Sequence, residues 1–319
     1  MKAVKFEIVE ALRFAAGHTG GIEVYAKELA YPLPLPSTVL GALGAALGVR
    51  LGASVCERPF ADLEVLAEKL GGRTVDLFAE RCEDPLLWGL LLEAGGHYYF
   101  ARGGDLISVD NRGSYVDAAL ERKGFAADHR LRPNTRFGLK LAESRVAEPG
   151  YAYKVSFYGY DLESYPASLI YVANLASELA EKVVRLSGEG RVAKLSLSDL
   201  PKEIKELLSE ESHYAIALSP VLFYAEGKIE PSSALGLKEV ERIVGIPTSG
   251  AVKLRAENVG LGFSEVCKRR RPLLQALPPG TILKLKSAGA KAVGLLSCLG
   301  YGSLLKVRRI QSLQMARCA

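Results

Sequence analysis

The 319-residue chain is long enough for two domains, and 49% hydrophobic and 24% charged residues are typical of an ordinary globular protein. This composition argues against disorder, and the lack of an apolar run of roughly 18–20 residues argues against a membrane span. The N-terminal segment has no signal-peptide core, so we expect a cytoplasmic protein without a membrane partner. A net charge of +5 does not by itself indicate nucleic acid, and the clustering of the cations matters more.

The cysteines give no sign of a metal site, because no pair has CxxC spacing and no histidine lies near enough to complete one. We interpret all five as core or incidental thiols, and we expect neither a metal nor a cofactor: Cys56, Cys82, Cys267, Cys298 and Cys318. Asn and Gln are scarce while Arg, Glu and Leu are abundant, which fits a hot-living, archaeal-type source.

The first half of the chain predicts strands, two helices and a long polar stretch. Ser37 or Thr38 is a good N-cap for a helix over residues 39–47, and Gly71 with Gly72 would end a second helix. Residues 101–135, above all the polar part 105–132, are predicted to be an inserted loop. The remaining segments are, in chain order, a strand over 4–13, a glycine loop at 15–21, the proline-rich stretch 31–36, the second helix at 61–70, an apolar segment of uncertain type at 86–92, and strands at 97–100, 136–141 and 152–158.

The second half opens with the strongest amphipathic pattern, which predicts a helix over residues 170–186. Strand and helix patterns alternate after it: a helix over 201–208, strand-like residues 215–224, short strands within 244–259, a strand over 281–286, and a last strand after the glycine-rich residues 294–303. Two βαββαβ units fit this alternation, each an antiparallel sheet with helices on one face. A doubly wound parallel sheet is the alternative, and it is disfavoured because no GxGxxG follows the first strand.

Cations cluster in three places, and phosphates require such clusters because each neutralised phosphate releases counterions. The alternative is that each cluster belongs to a solvated face. The three clusters are Lys268 to Arg271, then Arg130, Arg132 and Arg136, and finally Lys284, Lys286 and Lys291 with Lys306, Arg308 and Arg309 around the last glycine loop.

The last glycine loop contains Gly300, Tyr301, Gly302 and Ser303. Without a Cβ, its two glycines permit a sharp turn and the close approach of another polymer, and Tyr301 offers a flat ring. The alternative is a plain glycine hairpin at a sheet edge.

Catalytic motifs are weak, since the chain has no GxSxG, P-loop, HExxH or HD pair. One hypothesis makes His18 the general base of a metal-independent ribonuclease, with Tyr25 or Lys27 as its partner. The alternative is an ordinary histidine in an exposed loop.

Four ordered motifs resemble those of RAMP-superfamily CRISPR proteins. Residues 31–43 resemble a "PPPSTxxGAL" segment, residues 136–153 a central strand-and-turn signature, residues 277–282 a "VPxGSV" strand entry, and residues 300–303 the closing glycine-rich loop. Their order and spacing are similar to those of the third subunit of the Cmr complex, a type III-B effector. The equivalent type III-A subunit and the capping subunit of type I complexes have overlapping motifs.

The resemblance implies an α+β protein of two ferredoxin-like (RRM-like) domains, at residues 1–160 and 161–319, with the inserted loop in the first. It implies a non-catalytic subunit that holds the 5′ handle of a CRISPR guide RNA and contacts the large polymerase-like subunit, in antiviral defence. Backbone RAMP subunits and target RNA would lie nearby, and residues 105–136 or 141–151 would form a thumb.

A cleft that grips single-stranded RNA would form where the helix after Ser37 meets the last glycine loop. The predicted RNA-binding residues are Arg13, His18, Lys27, Ser37, Thr38, Arg132, Arg136, Lys140, Lys268, Arg269, Arg270, Arg271, Gly300, Tyr301, Gly302 and Ser303. Two other hypotheses remain: the endoribonuclease that processes CRISPR repeat RNA, and an α+β scaffold with solvated basic runs.

Overall fold

The computed structural model describes residues 1–15, 30–141, 147–162, 165–224 and 236–308. Its helices are few and short, and no helix in these ranges is long and apolar enough to cross a membrane. The helices are α1 Pro36–Ala46, α2 Ala61–Gly71, α3 Arg112–Leu120 and α4 Lys202–Ser209.

Most regular structure is antiparallel strand. The strands of the first 200 residues are β1 Lys2–Ile8, β2 Phe14–Ala15, β3 Ala30–Tyr31, β4 Arg81–Cys82, β5 Leu87–Ala94, β6 His97–Arg102, β7 Asp105–Ser108, β8 His129–Arg130, β9 Pro133–Leu141, β10 Ala147–Tyr158, β11 Asp161–Leu162, β12 Tyr165–Pro166, β13 Ser168–Ala173, β14 Lys182–Arg185 and β15 Val192–Ser198. Those that follow are β16 Tyr214–Ala217, β17 Val221–Phe223, β18 Val240–Pro247, β19 Val252–Lys253, β20 Glu257–Gly260, β21 Phe263–Ser264, β22 Arg269–Arg270, β23 Leu273–Leu277, β24 Ile282–Leu285, β25 Ala292–Val293 and β26 Leu304–Lys306.

The larger sheet has eight strands in the order β14-β15-β1-β13-β5-β6-β7-β8. All six residues of β13 are buried, as are most of β5, because these apolar strands lie at its centre and are covered on both faces. Strands that precede residue 160 therefore pair with a strand that follows it, as β1 and β5 do with β13. The expected domain boundary at 160/161 thus lies between strands of one sheet and does not separate two sheets.

A second sheet has five strands in the order β19-β18-β24-β16-β26. It lies against the large sheet, and the two share a buried cluster that includes Trp88, Phe100, Ile282 and Leu305. The Trp88 indole N–H donates to the backbone carbonyl of Leu304, 2.9 Å away, which satisfies a polar group inside this contact. The last strand is thereby fixed against the centre of the large sheet.

Two predictions about the first 190 residues are wrong. The amphipathic segment 170–186 is not a helix: its apolar β-branched residues form β13, and β14 follows after an irregular stretch. The stretch 101–135 is not an inserted loop, because it contains β7, β8 and α3, and Tyr115 and Val116 of α3 are fully buried. The apolar periodicity of these short elements is too brief to separate strand from helix.

The interpretation of the cysteines as core or incidental thiols is also wrong for four of them. Cys56 is bonded to Cys267, with Cα atoms 5.4 Å apart, and Cys82 to Cys298, with Cα atoms 5.2 Å apart. The paired residues are 211 and 216 positions apart in sequence, so spacing could not have shown the pairs. Both bonds connect the first hundred residues to the last sixty.

Several other predictions are confirmed. Helix α2 ends at Gly71 and is capped by Gly72, whose φ of +64° belongs to the left-handed region that glycine favours. The strands over 97–100 and 281–286 are present as β6 and β24, and the helix over 201–208 as α4. The expected pair of strands around residue 140 is the long hairpin β9–β10. The α+β class is confirmed as a mixed structure of mostly strands and few helices.

Candidate nucleic-acid interface

A cleft of about 990 Å³ lies beside α1. One wall is α1, with Ser37 and Thr38 at its N-terminal end. A second wall is the turn after β14, at residues 185–188, together with Arg13. The third wall is residues 260–273, which we call the lip because they form the outer edge of the cleft. Three segments that are distant in sequence thus enclose a volume suited to part of a nucleic acid strand.

The cleft is positively charged. Arg13, Arg185 and Arg270 all line it, and the Arg13 backbone N–H donates to the Ser187 hydroxyl at 3.1 Å, which fixes the second wall. Arg185 and Arg270 are exposed, and neither has an acidic partner among the described residues. Glu265, one of two acidic residues in the lining, is paired with Lys268 at 3.2 Å. Unpaired guanidinium groups of this kind suit phosphate oxygens.

Arg271 has a different role from Arg270, because its guanidinium is bound by three neighbouring residues. It forms an ion pair with Asp62 on α2 at 2.6 Å and donates to the backbone carbonyls of Leu261 and Phe263. Burial opposes ionisation of Asp62, but hydrogen bonds from Arg271 and Ser264 outweigh it and hold the pKa of that carboxyl below its usual value. Arg271 therefore anchors the lip to α2, and Asp62 balances its charge in the lining of the cleft.

The predicted N-cap of α1 is wrong, since the helix begins after Leu35, with Pro36 in the first turn and no side-chain cap. Ser37 lies inside that first turn, and its hydroxyl oxygen accepts a 2.9 Å hydrogen bond from the buried Tyr301 hydroxyl. The side chain is thus committed to a partner behind the cleft. Thr38 is half-buried and lines the cleft directly.

Buried tyrosines also hold the proline-rich segment that precedes α1. The Tyr171 hydroxyl donates to the Pro34 carbonyl at 3.0 Å, and the Tyr160 hydroxyl donates to the Pro32 carbonyl. Burial raises the pKa of Tyr301 to about 12, so its hydroxyl keeps its proton at neutral pH and remains a donor. These donors fix the start of α1 and with it one wall of the cleft.

The last glycine loop is packed inside the protein. It therefore does not offer an open turn or a free tyrosine ring to another polymer, although the sequence predicted both. A Cβ at Gly300 would lie 2.8 Å from the Leu87 carbonyl oxygen, and one at Gly302 only 1.9 Å from the Val293 carbonyl oxygen. Ser303 is buried and donates to the Gly300 carbonyl at 2.8 Å. The close approach that these glycines permit is to this chain's own backbone.

The remaining predicted cations are dispersed. Lys268 and Arg269 are exposed on the lip, and Arg269 donates to the Cys56 carbonyl. The third predicted basic cluster is divided: Lys284 is paired with Glu241 at 2.6 Å and Lys306 is 4% exposed, whereas Lys286 and Arg308 are exposed and Arg309 lies outside the described residues. Burial lowers the pKa of Lys306 to about 8.

The hairpin β9–β10 carries Arg136 and Lys140, and Arg132 is exposed just before it. The Arg136 guanidinium carbon lies 5.3 Å from the centre of the buried Phe157 ring, a cation–π contact that holds the base of the hairpin. Phe137 on the same strand is 76% exposed. These cations are therefore placed on the hairpin rather than in the lining of the cleft.

The candidate ribonuclease residues His18, Tyr25 and Lys27 lie outside the described residues. Of the other histidines, His97 is exposed and the His213 Nδ1 lies 2.9 Å from the Leu285 carbonyl oxygen. Within the described ranges no group of three His, Cys, Asp or Glu side chains could hold a metal ion.

Sequence patterns missed several residues that build the cleft. Arg185 is an isolated cation in a segment predicted to be helical, and Phe263 precedes the basic run that drew attention instead. Asp62 and Tyr171 act through partners more than 130 positions away in sequence, for which the local sequence holds no signal.

Comparison with known proteins gives consistent matches. The family model described as CRISPR-associated protein (Cas_Cmr3) matches residues 118–298. The CRISPR system CMR subunit Cmr3 of Saccharolobus solfataricus is 27% identical over 150 residues, which are 47% of this chain and 43% of that protein, so the alignment spans less than half of the relative.

The fold is similar to that of a chain in the cryo-EM structure of the type III-B Cmr-beta bound to cognate target RNA and AMPPnP. The TM-score is 0.58 at 21% identity, covering 88% of this chain and 86% of the other. A second cryo-EM structure, of the type III-B Cmr-beta bound to cognate target RNA, gives a TM-score of 0.59 with the same identity and coverage.

Proposed function

The chain belongs to the Cas_Cmr3 family of CRISPR-associated proteins, and from this we propose that it is a non-catalytic subunit of a type III-B RNA-guided effector in antiviral defence. In this role it binds the 5′ handle of the guide RNA in the cleft beside α1. It docks the large polymerase-like subunit and lies next to the backbone RAMP subunits, with target RNA nearby.

The cleft is the observation that carries this proposal. It brings exposed Arg185 and Arg270 from two separate segments into the lining of one cavity, while Arg271 braces the lip and Tyr301 braces the start of α1. Cations without acidic partners, mounted on braced elements, bind phosphates at a low entropic cost because the site is already formed. A solvated basic face would not need such bracing.

The finer architecture is part of the same proposal. Four neighbouring strands of the large sheet lie in the order β15-β1-β13-β5. When these four are numbered by their position in the chain, the order is 4-1-3-2, and the same numbering gives 4-1-3-2 for β26-β16-β24-β18 in the second sheet. This shared order supports two ferredoxin-like units, with the division between Ser198 and Tyr214. Because residues 105–130 are built into the large sheet, the hairpin β9–β10 is the better candidate for the thumb.

Fluorescence anisotropy with labelled guide RNA tests the proposal. We expect salt-sensitive binding of RNA that carries the 5′ handle, by the full chain alone or together with the large subunit. Each of R185A and R270A should reduce the salt slope, d log K/d log [salt], by about 0.7, the value for one phosphate contact on a single strand. Lys202→Ala, an exposed cation on α4 away from the cleft lining, is the matched control. The absence of RNA binding in both formats would refute the proposal.

The endoribonuclease hypothesis remains a separate prediction. Incubating the purified protein with CRISPR repeat RNA in EDTA decides it, because a metal-independent enzyme would still cleave. Cleavage that is lost in His18→Ala would replace the non-catalytic role proposed above.

A further inference from the structure

The lip places an exposed aromatic ring beside an exposed cation. Phe263 on β21 is paired directly across the two-stranded ribbon with Arg270 on β22. Side chains of directly opposite residues in an antiparallel pair project from the same face, and both of these line the cleft. The Phe263 residue is 46% exposed, although a ring of this size gains most from burial.

The ribbon is fixed from its other side, which makes it a firm mount for the two side chains. Arg271 donates to the Phe263 carbonyl at 3.3 Å while it is held by Asp62. The turn between the strands contains Cys267, which is joined to Cys56 by a disulfide. Without these bonds, a ribbon whose strands are only two residues long would have to become ordered when RNA binds, and this ordering would offset much of the binding free energy.

We propose that Phe263 and Arg270 form a subsite for one unpaired nucleotide, with the Phe263 ring stacked on the base and the Arg270 guanidinium on the adjoining phosphate. The proposal rests on the function given above and adds the chemistry recognised at this wall: a single-stranded RNA base, read by its flat face. Stacking of this kind is tolerant of base identity, because every base has a π-face. The subsite therefore adds affinity for unpaired RNA without selecting its sequence.

The two side chains make separable predictions. Loss of one stacked base contact corresponds to roughly a 5- to 150-fold weaker affinity. Phe263→Ala should weaken RNA binding within this range and leave the salt slope unchanged, since no charge is lost. R270A should reduce the slope by about 0.7. Phe263→Trp should retain or improve affinity, because a larger ring can take the same stack.

Phe78→Ala is the matched control, since this phenylalanine is 65% exposed and does not line the cleft. The probe is guide RNA with its 5′ handle, compared with copies in which single handle nucleotides are abasic. If Phe263 stacks on a base, one abasic position should weaken binding to the wild type but cause no further loss in Phe263→Ala. The double-mutant cycle thereby assigns the ring to that nucleotide.

The outcomes distinguish this proposal from the one on which it rests. Salt-sensitive binding with equal affinity for wild type, Phe263→Ala and Phe78→Ala would overturn the subsite and leave the guide-binding function intact. Weaker binding by Phe263→Ala that is additive with every abasic position would also overturn it, because the ring would then not contact a base. Failure of the wild type to bind any of these RNAs would overturn both proposals.

Discussion

Replacement of Gly302 by alanine should destabilise the protein without directly removing an RNA contact. Gly302 has φ +61°, and its new Cβ would lie 1.9 Å from the Val293 carbonyl oxygen, so the turn or β25 must move. The left-handed conformation costs an alanine about 1–2 kcal/mol, and forcing extra volume into a packed site adds about 1–3 kcal/mol. Movement also strains the bonds from the Val293 N–H to the Gly302 carbonyl and from the Gly302 N–H to the Pro220 carbonyl.

Differential scanning calorimetry measures this effect. With an unfolding entropy of about 2.1 cal/mol/K per residue, a loss of about 3 kcal/mol should lower the melting temperature by roughly 4–5 °C. Gly289→Ala is the matched control, because its Cβ would meet nothing within 4 Å, and it should melt close to the wild type. If Gly302→Ala melts like Gly289→Ala and binds guide RNA more weakly, the loop contacts RNA and the packed role described here is wrong.

Three further changes test other parts of the structure. Tyr301→Phe removes the donor to the Ser37 hydroxyl, and we expect urea unfolding to show a loss of about 1–3 kcal/mol; an unchanged free energy of unfolding would contradict the bond. Replacing Cys56 and Cys267 together by serine should cost about 2–5 kcal/mol, and reductant should lower the melting temperature of the wild type but cause a smaller shift in the variant. Burial raises the pKa of Glu257 to about 7 in the folded protein. The stability contributed by this carboxyl group is therefore complete below its unfolded pKa near 4.5 and is lost as pH rises through about 7. Glu257→Gln should lose less stability than the wild type between pH 5 and pH 8, and identical pH profiles would refute the shift.

The features that the sequence predicted correctly are those that depend on residues close together in the chain. The glycine stop of α2, the alternation of β24 and the two strands of the long hairpin all follow from local chemistry, and the structure contains each of them. The Lys268–Arg271 run also drew attention to the lip. It could not show that Arg270 is exposed to the cleft while Arg271 is bound to Asp62, since this depends on how the ribbon lies against α2.

Longer-range features could not be predicted in this way. Residues 170–186 carry a helical apolar pattern, yet the first four of them lie in β13, whose residues are all buried at the centre of the large sheet, and tertiary burial overrides local periodicity. The two disulfides and the tyrosine bonds to Pro32, Pro34 and Ser37 join residues more than 120 positions apart. Local patterns contain no information about such pairs, although they fix the walls of the cleft.

Crosslinking tests most directly whether guide RNA lies in this cleft. Guide RNA with 4-thiouridine at single positions of its 5′ handle would be bound to the full chain, irradiated and analysed by mass spectrometry. We expect handle positions to crosslink to peptides from α1 and from the lip at residues 260–273, and Arg185→Ala with Arg270→Ala should reduce the yield. Handle crosslinks confined to other surfaces, with both variants binding RNA like the wild type, would contradict the proposed cleft.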